Sequence, residues 1–345
     1  MLRSFSHCTF LGCFILTFLT LGVVSDLEQM EPHSLTRFHS RCIRGSFNSY
    51  LMKLSGFLSA IPLAEYSGKK VVELPPLCGE NGSPDEKVFP AMFATSTWTS
   101  SIQDIFPLDL AVTVVSFYDA KRSSRDLSSN LREVLVRVPK YSIAIAGNMT
   151  RAVYKALRLS QLAHKLASDC LSKLLQYVRK DSYMAVHYHI ERDFYPMSCL
   201  LREKRSRTPQ CFSAQEITSS IYNTPELSSY NTILALYDAN STIPRNSPDN
   251  VESTYRMRSQ DTVGCSAEMP LTKFEKSIVA FLIAKESPIF VGHSSSLFST
   301  GVSIARSLEK LPSYVYSCAA PGEPLQLRHD GGERAGDDAL SCRLL

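Results

Sequence analysis

The sequence predicts an α/β protein of two domains, each an open sheet flanked by helices. Three observations predict it. Short apolar runs rich in β-branched residues alternate with segments of helical periodicity. The alternation recurs in both halves of the chain. About 320 residues follow position 25, more than one hydrophobic core ordinarily serves. With 44% apolar and 20% charged residues, the composition is that of a globular protein.

Taken in order, Phe47 to Ala64 carries Leu51, Leu54, Phe57, Leu58 and Ile61 at helical spacing. Val71–Leu74 then reads as a short strand closed by Pro75-Pro76. Residues 110–117 (LAVTVVSF) and 141–146 (YSIAIA) are strands by their β-branched content, and the stretch from Cys78 to Pro90 is loop-like. A long helix is expected from Thr150 to Val178, with Val153, Leu157, Leu162, Leu166, Cys170, Leu174 and Val178 on one stripe. It ends the first domain, residues 26–180. Met184–His187 opens the second, residues 181–318, with a helix at 214–222 and a strand at 232–237. A helix at 273–285, a strand at 288–292 and a helix at 300–309 complete it. The two halves read as Rossmann-like domains facing a cleft. Residues 319–345 are rich in Gly, Pro and charge, and are expected to be disordered.

At the N-terminus Arg3 precedes an apolar run from Cys8 to Val24, and the chain turns polar and acidic at Ser25-Asp26. This is the layout of a secretory signal, with residues 1–25 either cleaved or retained as a type II membrane anchor. Asn81-Gly82-Ser83, Asn148-Met149-Thr150 and Asn240-Ser241-Thr242 are glycosylation sequons that fit a lumenal address. Outside the apolar run stand Cys42, Cys78, Cys170, Cys199, Cys211, Cys265, Cys318 and Cys342, an even set that permits disulfides. Cys199 and Cys211 flank a basic loop and read as a pair. No CxxC occurs, which argues against a structural zinc site. The formal net charge of +4 is scattered, which argues against a nucleic-acid partner.

Ligands of open α/β sheets collect where strands end, so polar residues just after apolar strands are the candidates. Three places qualify. Gly45-Ser46-Phe47-Asn48 precedes the first helix, where backbone N–H groups and the helix dipole favour an anion. Residues 185–194 (AVHYHIERDF) form a strand that runs into a dense set of ionisable groups. Residues 290–299 (FVGHSSSLFS) form a strand, a hydroxyl-rich turn and a helix start.

The ordered set resembles the GDP-fucose protein O-fucosyltransferase-like superfamily. His187, Glu191 and Asp193 match its H-x-R-x-E-x-D pattern, with His189 at the arginine position. Gly292, Ser296, Phe298 and Ser299 match its F-x-G-N-x-x-S-S-F-S/T block, and the opening Gly-Ser-Phe-Asn is similar to its first loop. The resemblance implies a GT-B fold, with residues 181–318 binding the nucleotide sugar. It implies inverting transfer of fucose from GDP-fucose to a hydroxyl of a protein or glycan acceptor, without metal or other cofactor. The catalytic candidates are His189, Glu191 and Arg192. The substrate-binding candidates are Gly45, Phe47, Asn48, His187, Asp193, His293, Ser296, Phe298 and Ser299. Delivery of GDP-fucose then places the chain in the endoplasmic reticulum or Golgi.

Three of the departures from the family pattern matter. His189 replaces the arginine, His293 replaces an asparagine, and Ala280 stands where an aspartate is common. A histidine presents fewer donors to a phosphate than the arginine fork does. These departures support a second reading, a lumenal protein that keeps the fold and binds without transferring. Two further readings are weaker. His187 and His189 share one strand face as metal ligands would, and Gly292 to Ser296 lacks the closing glycine of a hydrolase elbow.

Overall fold

In a computed structural model of the chain, the described residues are 35–79, 81–123, 131–137, 147–176, 182–188, 214–237, 256–259, 271–294, 296–316 and 325–330. They contain two sheets. The first holds β1 (Leu35–His39), β2 (Lys70–Leu74), β3 (Val112–Ser116) and β4 (Leu131–Leu135) in the order β3-β2-β1-β4, all parallel. The second holds β5 (Tyr183–Tyr188), β6 (Thr232–Tyr237), β7 (Arg256–Ser259), β8 (Ile289–His293), β9 (Ser313–Tyr316) and β10 (Arg328–His329). Its order is β10-β9-β8-β5-β6-β7, parallel except for β10. The chain leaves β5 toward β6 on one side and returns to β8 on the other. The crevice between the carboxyl ends of β5 and β8 is therefore the topological switch point of this sheet.

Nine helices are described: α1 (Phe47–Ser59), α2 (Val88–Met92), α3 (Thr95–Gln103), α4 (Phe117–Ser123), α5 (Gly147–Ala156), α6 (Gln161–Leu174), α7 (Ala214–Tyr222), α8 (Lys273–Glu286) and α9 (Leu297–Leu308). Helix α8 opens on a capping box between Thr272 and Glu275 and is apolar on every side from Ile278 to Ala284. Such a helix must be enclosed. It packs against α1, α2, α6, α9 and β5, so the helices of the first sheet share one continuous core with those of the second. At the end of α8 the fully buried Arg306 guanidinium donates to the carbonyls of Ala284, Lys285, Ser287, Pro288 and Pro312. These carbonyls form the negative end of the helix and the turn beyond it, where a cation is favoured.

Strand β5 divides two cores by alternation. Tyr183 and Ala185 face the shared core, whereas Met184, Val186 and Tyr188 face a smaller one with Ile217 and Ile221 of α7. The same alternation turns His187 toward the α8–α9 side.

Several expectations change. The helix predicted over 150–178 is broken into α5 and α6 across residues 157–160. Ser160 caps α6 by accepting from the Ala163 N–H at 3.2 Å and donates its own N–H to Met92 O. The apolar stripe runs through this break, so periodicity alone hides it. The tail expected to be disordered contributes β10 to the second sheet. Leu325 and Leu327 alternate onto the smaller core, and β10 covers the otherwise open edge of β9. Strands β1, β4 and β7 lie in segments with no apolar run. The predicted strand 141–146, the N-terminal apolar segment and the Cys199/Cys211 pair lie outside the described residues. Cys42 and Cys78 form a disulfide, and Cys170 is disulfide-bonded as well.

Candidate active site

The switch-point crevice is built from the ends of β5 and β8 and the first turn of α9. Ser296 caps α9, its Oγ accepting the Ser299 N–H at 3.3 Å, and its own N–H closes the preceding turn on His293 O at 3.1 Å. This cap aims the positive end of α9 at the crevice. One turn in, Ser299 Oγ accepts the backbone N–H of His293 at 3.0 Å and lies 2.9 Å from His187 Nδ1. Gly292 makes that approach possible, because a Cβ there would fall 2.6 Å from Ser299 Oγ. The Phe298 ring lies 4.7 Å from the His187 imidazole, and Tyr316 from β9 donates to His187 O at 2.8 Å. The His293 ring meets the Tyr316 ring edge to face at 5.0 Å. His187, His293, Ser296 and Ser299 are buried, and Phe298 and Ser294 are half-buried.

The first loop is a separate cluster. Gly45 has φ +138°, a conformation side chains rarely adopt, and Arg44 and Lys53 bring positive charge beside it. Lys53 Nζ donates to Arg44 O at 2.7 Å, and burial lowers its pKa. The first helical N–H, that of Phe47, is taken by Ser277 Oγ of α8 at 2.9 Å. The Phe47 ring is enclosed by Phe93, Phe274 and Phe281. Asn48 is fully buried, accepting from the Tyr154 hydroxyl at 2.7 Å, while its Nδ2 has no partner among the described residues. Burial drives the Tyr154 pKa up, so this hydroxyl stays protonated and donates. The side chains of Phe47 and Asn48, expected at a ligand, thus belong to the interface of α1 with α5, α8 and α9. Gly45 and Ser46, by contrast, are exposed.

His187, His293, Ser296, Phe298 and Ser299 come together at the second sheet. His189, Glu191, Arg192 and Asp193 lie outside the described residues. Ala280 is buried in α8. Sequence reasoning misses Tyr316, Tyr154 and Ser277, each of which acts on a residue far along the chain. Among the described residues no group of three or more His, Cys, Asp or Glu is placed to hold a metal ion.

The fold so built is α/β with parallel sheets and is GT-B-like, similar to that of solved fucosyltransferases. Apo POFUT1 matches it with TM-score 0.50 at 13% identity, over 84% of this chain and 99% of that one. POFUT1 in complex with GDP matches with TM-score 0.51 at 13% identity, over 83% of this chain and 99% of that one. The fucosyltransferase NodZ from Bradyrhizobium matches with TM-score 0.45 at 14% identity, over 86% of this chain and 99% of that one. No protein-family model matches the sequence, and no curated protein matches it by sequence. At this identity the chain is a divergent bearer of the fold.

Proposed function

We propose that this chain is a glycosyltransferase that moves fucose from GDP-fucose to a hydroxyl of a protein or glycan acceptor, with inversion and without metal, in the endoplasmic reticulum or Golgi lumen. The observation that carries the reading is the switch-point crevice. The capped N-terminus of α9, His187 and His293 converge there, in a fold shared with POFUT1 in complex with GDP. Transfer leaves negative charge on the departing diphosphate. A helix N-terminus and imidazole donors fixed by the fold stabilise such charge. His189, Glu191 and Arg192 are the residues proposed to complete the chemistry.

The experiment is a donor screen of the full chain with GDP- and UDP-sugars, reading transferred mass on protein and glycan acceptors. Transfer from GDP-fucose alone supports the reading. Transfer from a UDP-sugar, or binding of no GDP-sugar, overturns it.

One observation favours a second reading, a protein that binds without transferring. Phe47 and Asn48 are shut into the core, and the first N–H of α1 is committed to Ser277, which leaves the first loop little to offer a donor. GDP binding with no transfer in the same screen selects this reading.

A further inference from the structure

Strand β9 forms the outer wall of the crevice, and its last residue ties that wall to both strands beside it. Tyr316 O accepts the Ser294 N–H at 2.8 Å, its hydroxyl donates to His187 O at 2.8 Å, and its ring packs on His293. On its inner side β9 pairs with β8. On its outer side, among the described residues, only the tail strand β10 pairs with it.

The tail is shaped for that edge. Arg328 pairs with Val315 and His329 with Tyr314, and the Asp330 N–H donates to Ser313 O at 2.7 Å. Alternation puts Leu325, Leu327 and His329 on one face. The His329 ring meets the Tyr314 ring edge to face at 5.3 Å, and both leucines pack on the smaller core, to which Tyr316 belongs. Carrying the register one residue further sets Leu327 opposite Tyr316. The ladder itself is only two residues long. Burial of an apolar side chain outweighs the net gain of one hydrogen bond, so the leucines supply most of the attachment.

We propose that residues 325–330 are a strap that keeps the crevice assembled from its outer edge: the tail adds a strand to β9, packs two leucines beside Tyr316, and so fixes the ends of β5 and β8 that Tyr316 joins. An open strand edge is a template for an extended segment, and apolar residues two apart give such a segment its specificity. The strap acts on the fold alone, whatever donor the crevice takes.

The test is amide hydrogen exchange of the full chain carrying Leu325→Ser with Leu327→Ser, followed by addition of a synthetic peptide of residues 322–333. Exchange in 289–294 and 313–316 should quicken by about tenfold or more, while β1 and β2 exchange as in the wild type. Excess peptide should restore the protection, and the same peptide with both leucines replaced by serine should not. Unchanged exchange at 289–294 in the double variant overturns the proposal. A uniform rise across both sheets does so too, because it marks a general loss of stability. A leucine-bearing peptide that restores nothing, or a serine peptide that restores as much, overturns strand addition as the means. Where the double variant does not fold, Leu327→Ala gives the same readings on a smaller scale.

Discussion

Gly301 in α9 lies directly against Asn48 in α1: a Cβ on Gly301 would fall 2.2 Å from Asn48 Oδ1 and equally close to the Tyr154 hydroxyl. Helix α9 thus bears on both candidate clusters, with Ser299 meeting His187 and Gly301 meeting the start of α1. The prediction is that Gly301→Ala destabilises the chain even though alanine is the better helix former. Overpacking costs about 1–3 kcal/mol, against about 1 kcal/mol gained in propensity. Urea unfolding should show a lower midpoint, and Asn48→Ala in the same chain should recover part of the loss.

Arg306 makes a second prediction. Replacing it with methionine leaves buried carbonyls at the end of α8 and around Pro312 without donors. Each buried acceptor left unpaired costs about 1–3 kcal/mol, so a loss of about 3 kcal/mol or more is expected. Lysine should recover little, because its compact head does not span carbonyls on opposite sides. Thermal unfolding of the two variants checks this.

The Cys42–Cys78 disulfide joins the loop that enters α1 to the loop that follows β2, across a sequence separation of 36. Loop-closure entropy for that separation gives about 3–4 kcal/mol. Paired Cys42→Ser and Cys78→Ser replacements should lower stability by that amount, read by urea unfolding of the oxidised wild type beside the double variant.

Stability should fall at alkaline pH. Burial raises the pKa of Tyr183 to about 12, with Glu286 adding to the rise and Arg306 opposing it, and burial also raises Tyr50 and Tyr154. In the unfolded chain a tyrosine ionises near 10. The stabilising contribution is therefore complete below pH 10 and is lost as pH climbs toward 12, by about 1.4 kcal/mol per pH unit for each group. Unfolding at pH 9 and pH 11, with tyrosinate absorbance followed in parallel, measures the slope, and Tyr183→Phe should reduce it.

The elements read well from the sequence are those where one signal suffices. The helix at 214–222 and the strand at 232–237 have the predicted bounds, and α8 and β8 differ by a residue or so at their ends. Strand β1 (LTRFH) hides because its buried face carries only Thr36 and Phe38, while Arg37 on its other face ion-pairs across the sheet with Glu73 and Glu133. Helix α3 is polar in sequence and is fixed by burial of Trp98. At the site, the residue types in the turn before α9 were legible, but their partners were not. Ser299 lies 112 residues from His187 and Tyr154 lies 106 from Asn48, separations that only the folded chain closes.

The central claim, a crevice that takes a guanine nucleotide sugar, is tested most directly by GDP binding to the full chain. Saturating GDP, at about a hundred times its Kd, should stabilise the protein by about 2.7 kcal/mol and raise its melting temperature. Phe298→Ala should weaken the effect. A melting temperature that does not move with millimolar GDP or GDP-fucose would contradict the claim.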